Sequence, residues 1–73
     1  MDPKAVEKLE AKIEEAFRRD AEVDARHITI EISDHTAKLY GNVRSLREAT
    51  DAAAAAAAAP GVSAVESHLV VSP

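Results

Sequence analysis

Residues 28–43 read ITIEISDHTAKLYGNV and carry the clearest structural pattern in the sequence. Isoleucine alternates with polar residues up to position 33, and the alternation resumes at position 36, which is typical of two half-buried strands. Asp34 and His35 remain between them as a two-residue turn. Pairing the strands across this turn sets apolar residues opposite one another on one face and Glu31 opposite Lys38 on the other. The sequence therefore predicts an antiparallel β-hairpin.

The hairpin turn is predicted to be type I′, because this two-residue turn suits the twist of paired strands. Such a turn needs positive φ at both central residues and prefers glycine at the second, where this chain has His35. Histidine adopts positive φ more readily than most residues. We expect the substitution His35→Gly to stabilise the fold by about 0.5–1 kcal/mol.

A helix is predicted ahead of the hairpin. Asp2 suits the cap position, and Pro3 suits the first helical position. Apolar residues then recur at helical spacing and form one stripe, which consists of Val6, Leu9, Ile13, Ala16 and Phe17. We interpret this stripe as the face that packs on a sheet. The alternative is a helix that lies on a lipid surface, for which the mixed charge of its polar face is unfavourable.

A second helix is predicted after the hairpin. Ser45 and Glu48 form a capping box, in which Ser45 caps the helix and the Glu48 side chain reaches back. The alanine run at residues 52–59 favours a helix that sits close to a sheet. Pro60 cannot continue this helix, and Gly61 supports a sharp turn, so the helix is expected to end there.

A third strand is predicted near the end of the chain, with alternate residues facing inward: Val65, Ser67, Leu69 and Val71. The second helix makes the crossover to this strand, which we expect to be right-handed and to leave the second and third strands parallel. The order αββαβ predicts an α+β fold, in which two helices pack on one face of a three-stranded mixed sheet. We interpret residues 1–73 as a single domain, near the size at which one core becomes marginal.

Composition excludes several classes of function. The chain has no cysteine, so it cannot form a disulfide, a thiolate nucleophile or a cysteine metal site. Its net charge is −4, and it has one Tyr, one Phe and no Trp, whereas nucleic-acid binding needs a basic face and stacking aromatics. The charged start of the chain does not look like a signal peptide, and no apolar run is long enough to span a bilayer.

With these elements in order, the chain resembles the BON domain family, named for bacterial osmotically inducible and nodulation proteins. The resemblance covers nearly the whole chain, and its most specific features are Gly41 and the pair Gly61-Val62 at the right spacing. The matching stretches are DAEVDARHITIEI at residues 20–32, AKLYGNV at 37–43 and PGVSAVESHLVV at 60–71. The chain departs from the family pattern at His35, which replaces the turn glycine, at Ala37 and at Ser67. The first two departures weaken the local structure without changing the fold.

The resemblance implies a binding or attachment module with no catalysis and no cofactor. The leading suggestion for the ligand of the family is phospholipid, and many members are periplasmic or envelope proteins. The alternative that the resemblance leaves open is a protein-interaction or regulatory domain of a larger protein, which could be cytoplasmic and could sense a small ion. The partners expected are therefore a phospholipid surface, a neighbouring domain or a second copy, and not nucleic acid.

The histidines raise the question of a metal site. His27 and His68 are expected on the same outer face as Glu31 and Glu66, and two histidines with a carboxylate can bind zinc. They come from different strands without a tight ligand spacing, so we interpret them as exposed strand residues and predict no metal site. No nucleophile elbow or P-loop is recognisable, so we also predict no catalytic residue and no enzyme activity.

A candidate site for an anion or a lipid headgroup lies at the start of the second helix. Arg44 and Arg47 flank Ser45 there, and a helix N-terminus offers backbone amides and a partial positive charge to a phosphate. The alternative is that Ser45 and Glu48 already satisfy these amides and that the arginines are simply solvated.

The second candidate surface is the face of the sheet that the helices leave uncovered. Tyr40 and Val70 form its small apolar centre. The other residues expected on this face are polar or charged: Thr29, Glu31, Lys38, Asn42, Glu66 and His68. A sheet can keep one face solvated, so exposure alone does not prove a partner, but a neighbouring domain or a second copy could pack there.

Overall fold

The computed structural model of the chain describes residues 2–20 and 23–72. Its elements are α1 (Pro3–Arg19), β1 (Ile28–Ser33), β2 (Thr36–Val43), α2 (Leu46–Ala57) and β3 (Ala64–Val71), with a short 3-10 turn (Ala25–His27) ahead of β1. The order of helices and strands confirms the αββαβ prediction and the α+β class.

The β-hairpin forms in the predicted register. β1 and β2 pair antiparallel along the whole of β1, with Glu31 opposite Lys38. Asp34 and His35 have φ angles of 47° and 64°, as a type I′ turn requires. The Nδ1 atom of His35 also lies 3.0 Å from the carbonyl oxygen of Gly61, a contact that the sequence did not indicate. The side chain of His35 therefore ties the turn to the loop that follows α2.

The third strand completes a mixed sheet. β3 pairs parallel with β2, and the strand order is β1-β2-β3. Both helices pack on one face of this sheet, α1 against β1 and α2 against β2 and β3. The predicted architecture is therefore confirmed, and within residues 2–20 and 23–72 no helix lies on the opposite face of the sheet.

The core lies between the helices and the sheet. The largest fully buried side chains are Phe17, Ile13, Leu39 and Val43. α2 contributes two alanines, Ala52 and Ala56, which have no exposed surface. Because alanine has a short side chain, α2 can lie close to the strands beneath it.

β3 is less buried than its alternating pattern predicts. Val65 and Leu69 pack against the core but remain half-buried, whereas Ser67 and Val71 are exposed. In the central strand β2, by contrast, Leu39 is completely buried. The inward side of β3 lies at the edge of the sheet, where α2 covers it only in part.

The backbone at Gly41 requires glycine. Its φ angle is +132°, a value that residues with a side chain rarely adopt. A Cβ atom at this position would overlap the carbonyl oxygen of His27 in the 3-10 turn. The glycine therefore allows the chain ahead of β1 to pass directly against β2.

Candidate functional site

Two residues organise the start of α2, Ser45 and Glu48. The hydroxyl of Ser45 accepts a hydrogen bond from the amide of Glu48 at 3.1 Å, as the capping box predicts. The Glu48 carboxylate also reaches back, but it accepts from the amide of Arg44 at 2.7 Å rather than from that of Ser45. Its second oxygen accepts from the amide of Asp24, also at 2.7 Å. Glu48 therefore joins the loop before α2 to the loop before β1.

Glu48 is a buried carboxylate, with only 3% of its side chain exposed. Burial raises the pKa of this carboxyl group. The hydrogen bonds from the amides of Arg44 and Asp24, together with the Arg44 guanidinium, lower it by more than burial raises it. The net result is a pKa below the ordinary value for glutamate. In the part of the chain that the structure describes, no buried polar side-chain atom lacks a hydrogen-bond partner. Glu48 is thus charged and fully paired inside the fold.

This carboxylate changes the electrostatics of the candidate anion site. Its negative charge lies at the helix end that would otherwise attract a phosphate, and the Arg44 Nε atom is 3.3 Å from it. The Arg44 side chain is nevertheless 65% exposed, and Ser45 and Arg47 are exposed as well. The three predicted residues are therefore all exposed at the start of α2, and a negative charge is buried close to Arg44.

Apolar side chains lie at the same end of the molecule as these arginines. Leu46, the first residue of α2, is 73% exposed, and Val70 and Val71 are 58% and 43% exposed. Val71 lies opposite Val43, the last residue of β2, and α2 begins shortly after it. We name this end the α2-start surface, which consists of Arg44, Leu46, Arg47 and Val71.

The uncovered face of the sheet brings together the residues predicted for it. The register places Tyr40 between Thr29 of β1 and His68 of β3, and Asn42 opposite Val70. The rings of Tyr40 and His68 stack, with centroids 5.0 Å apart and planes at 8°. Val70 lies on this face near the end of β3, where Asn42 is its neighbour in β2.

The charges on this sheet face alternate in sign from strand to strand. Lys38 of β2 lies opposite Glu31 of β1 on one side and opposite Glu66 of β3 on the other. The Nε2 atom of His68 is 3.4 Å from a carboxylate oxygen of Glu66. The face is therefore polar and mixed in charge rather than basic.

The histidines lie in three different places. His27 belongs to the 3-10 turn, where its Nε2 atom is 3.5 Å from the carboxylate of Asp24, and not to β1. A side-chain hydrogen bond from Arg26 is the main cause that lowers the pKa of Asp24 to about 2. His35 lies in the hairpin turn and His68 on β3. Among residues 2–20 and 23–72, no three His, Asp or Glu side chains are close enough to hold a metal ion.

An open groove of about 390 Å³ separates α1 from the end of α2, away from both candidate surfaces. Its lining residues are Lys12, Glu15, Ala16, Arg19, Ala55, Ala58, Ala59 and Pro60. None of the residues predicted for a site lines this groove.

Within the described residues, no helix has the length and apolar character needed to cross a membrane.

Comparison with models of known protein families shows which family the chain belongs to. The model of the BON domain family matches residues 5–73, from the first turn of α1 through β3. The chain belongs to the BON domain family. BON domains are generally non-catalytic modules that bind lipid or protein, and this BON domain is therefore a binding module. No curated protein matches the chain.

Proposed function

We propose that this BON domain attaches to phospholipid surfaces through the α2-start surface. The observation that carries the proposal is Leu46, which is 73% exposed and stands in the sequence between Arg44 and Arg47, both also exposed. An apolar side chain beside cations suits an anionic bilayer, because the leucine can enter the headgroup region while the guanidinium groups contact phosphates. Val71, which is 43% exposed and pairs with Val43, adds a further apolar side chain at this end of the molecule.

Charge limits the strength of this attachment. The net charge of the chain is −4, so the molecule as a whole is not attracted to anionic lipid. The attraction is confined to the arginines of the α2-start surface, and Glu48 offsets part of the charge of Arg44. A basic residue near an anionic membrane contributes about 1 kcal/mol, and burial of a leucine contributes about 1.5–3 kcal/mol. These terms favour a reversible, peripheral attachment that salt weakens.

Vesicle co-sedimentation tests the proposal. The domain is mixed with phosphatidylcholine vesicles and, separately, with vesicles that also contain phosphatidylserine, at low and at high salt. We expect sedimentation with the anionic vesicles at low salt and a clear decrease at high salt. Absence of sedimentation with the anionic vesicles at low salt would contradict the proposal.

Protein interaction through the uncovered sheet face is the second candidate function. The stacked rings of Tyr40 and His68 favour it, because aromatic side chains are enriched at protein interfaces and this pair lies on the sheet face opposite α1 and α2. The variant His68→Ala tests in the vesicle assay whether this face, rather than the α2-start surface, contacts lipid. Attachment through the α2-start surface leaves vesicle binding by this variant unchanged, whereas a strong loss would assign the lipid contact to the sheet face.

A further inference from the structure

β3 forms an open edge of the sheet. Within the described part of the chain, the strand order β1-β2-β3 places no strand on the far side of β3. β3 reads AVESHLVV and pairs with β2 at every residue, so it contains no bulge. It also has no lysine and no proline, the residues that commonly prevent an edge strand from pairing with another chain. β3 is therefore a regular edge on which a further strand can pair.

The hydrogen-bond pattern shows which backbone groups point to this edge. The amide of Ser72 donates to the carbonyl oxygen of Val43 at 2.7 Å, so the backbone groups of Ser72 face β2. Successive residues of a strand direct their amide and carbonyl groups to opposite sides. The groups that face the open edge are consequently those of the alternate residues, Val65, Ser67, Leu69 and Val71.

The sequence of β3 is complementary to itself when it runs antiparallel about Ser67. In this register, Glu66 lies opposite the partner's His68, and the pair repeats on the other side of the two-fold axis. Val65 lies opposite the partner's Leu69 on the face that the helices cover. These four contacts therefore join a carboxylate to an imidazole or two apolar side chains, and Ser67 faces its own copy at the axis.

Neighbouring registers lack this complementarity. A shift of the pairing by one residue in each strand centres it on Glu66 or on His68. The first shift sets Glu66 opposite the partner's Glu66, and the second sets His68 opposite the partner's His68. Like groups that face each other directly weaken a strand pair. Only the register about Ser67 combines opposite groups on one face with apolar pairs on the other.

The incomplete burial of β3 is consistent with a partner on this edge. Val65 and Leu69 are only half-buried although they face the core, and Ser67 on the same side is exposed. A second copy of β3 would add apolar contacts along this row and would also bond the open backbone groups.

We propose that two copies of this domain dimerise by antiparallel pairing of their β3 strands about Ser67, which makes one continuous six-stranded sheet. A single pair of strands buries a small area, so the dimer forms at high protein concentration and dissociates on dilution. The two-fold axis places the α2-start surfaces at opposite ends of the dimer. The dimer does not depend on lipid, and it goes beyond the proposed attachment function.

Cysteine cross-linking tests the register directly, because the chain contains no cysteine of its own. The variant Ser67→Cys places one thiol beside the two-fold axis, where two Cα atoms of a hydrogen-bonded antiparallel pair lie about 5.5 Å apart, within the range for a disulfide. The control variant is Ser63→Cys. Ser63 is also exposed, but it would lie opposite the partner's Val71, so the two cysteines of this variant would be far apart. We expect mild oxidation to give a disulfide-linked dimer with Ser67→Cys at least tenfold faster than with Ser63→Cys. Equal rates would overturn the proposal.

Sedimentation equilibrium provides the second measurement. The dimer fraction of the unmodified domain rises with concentration, whereas His68→Glu, which sets two carboxylates against each other, lowers it at least tenfold. The double variant Glu66→Lys/His68→Glu restores the dimer because a lysine then faces the partner's carboxylate. Thr29→Glu, which adds the same charge on the other edge strand, leaves it unchanged. A domain that stays monomeric at millimolar concentration, or a double variant that is not restored although circular dichroism shows it folded, would refute the β3 pairing.

Discussion

The Glu48 carboxylate accepts a hydrogen bond from the backbone amide of Asp24, 2.7 Å away and 24 residues earlier in the chain. The same side chain holds the amide of Arg44 at 2.7 Å. One buried charge thus links the loop before β1 to the loop before α2, where the α2-start surface begins. The stability of the fold and the shape of this surface depend on the same residue.

The variant Glu48→Gln tests the contribution of this charge to stability. Hydrogen bonds to a charged group contribute about 1.5–3 kcal/mol, and the amide of glutamine keeps the shape while losing the charge. We expect urea unfolding at pH 7 to show a loss of this size. The control is Glu15→Gln on the exposed surface of α1, where the ion pair with Arg19 contributes at most about 0.5 kcal/mol. Similar losses in both variants would contradict the role of Glu48 as a link between the loops.

The pH dependence of stability follows from the lowered pKa of Glu48. A carboxyl group whose pKa is lower in the folded protein stabilises the fold above its ordinary pKa, and this stabilisation is lost as the pH falls through the folded value. The ordinary value is 4.5, so the free energy of unfolding should decrease below about pH 4.5. Asp24 contributes to the decrease because its pKa is also lowered. Unfolding of wild type and Glu48→Gln at pH 7 and pH 3 isolates the share of Glu48, since the variant should show the smaller decrease.

The structure changes the expected effect of His35→Gly. Glycine relieves the positive φ of 64° at this position, which favours the variant by about 0.5–1 kcal/mol. The variant also loses the contact between His35 Nδ1 and the carbonyl oxygen of Gly61, and such a hydrogen bond contributes about 0.5–1.5 kcal/mol. The net effect in urea unfolding should therefore lie between a loss of about 1 kcal/mol and a gain of about 0.5 kcal/mol. A gain of a full 1 kcal/mol would show that the Gly61 contact contributes nothing.

Gly41→Ala should be the most damaging single substitution at a glycine. The added Cβ atom would overlap the carbonyl oxygen of His27, so two backbone segments must separate. A cost of at least about 3 kcal/mol is expected, which leaves a domain of this size largely unfolded by circular dichroism. Gly61→Ala is the control, since its Cβ atom would lie 3.9 Å from Leu9, an ordinary contact, and only the φ of +95° opposes it. Equal effects of the two substitutions would argue against a close approach at Gly41.

Local patterns predicted most of the fold because local physics determines those parts. The alternation of residues 28–43 specified the hairpin register, and the turn follows from the two residues that remain between the strands. Asp2 and Ser45 cap their helices as their side chains suggest, with bonds of 3.0 Å to Lys4 and 3.1 Å to Glu48. These features depend on residues that are close in the sequence, so one sequence is enough to predict them.

Contacts between distant segments could not be predicted in the same way. The capping-box pattern indicated that Glu48 reaches back, but not that it is buried or that Asp24 becomes its partner. The alternation in β3 predicted an inward row without showing that α2 covers it only partly, because coverage depends on where the helix lies over the sheet. For the candidate site, the sequence indicated the two arginines, whereas the exposure of Leu46 between them emerged only from the structure.

Binding of the double variant Leu46→Ser/Arg47→Ala to anionic vesicles tests the lipid-attachment proposal most directly. Arg44 is left in place because it pairs with Glu48 and supports the fold. The lost leucine and arginine together contribute about 2.5 kcal/mol or more, so we expect vesicle binding to weaken by roughly 50-fold. The charge-matched control is Lys8→Ala, on an exposed part of α1 near Leu9 and thus near Gly61, at the opposite end of the sheet. It should change binding by about twofold or less, because screening limits its influence. Equal binding by the double variant and the control would contradict attachment through the α2-start surface.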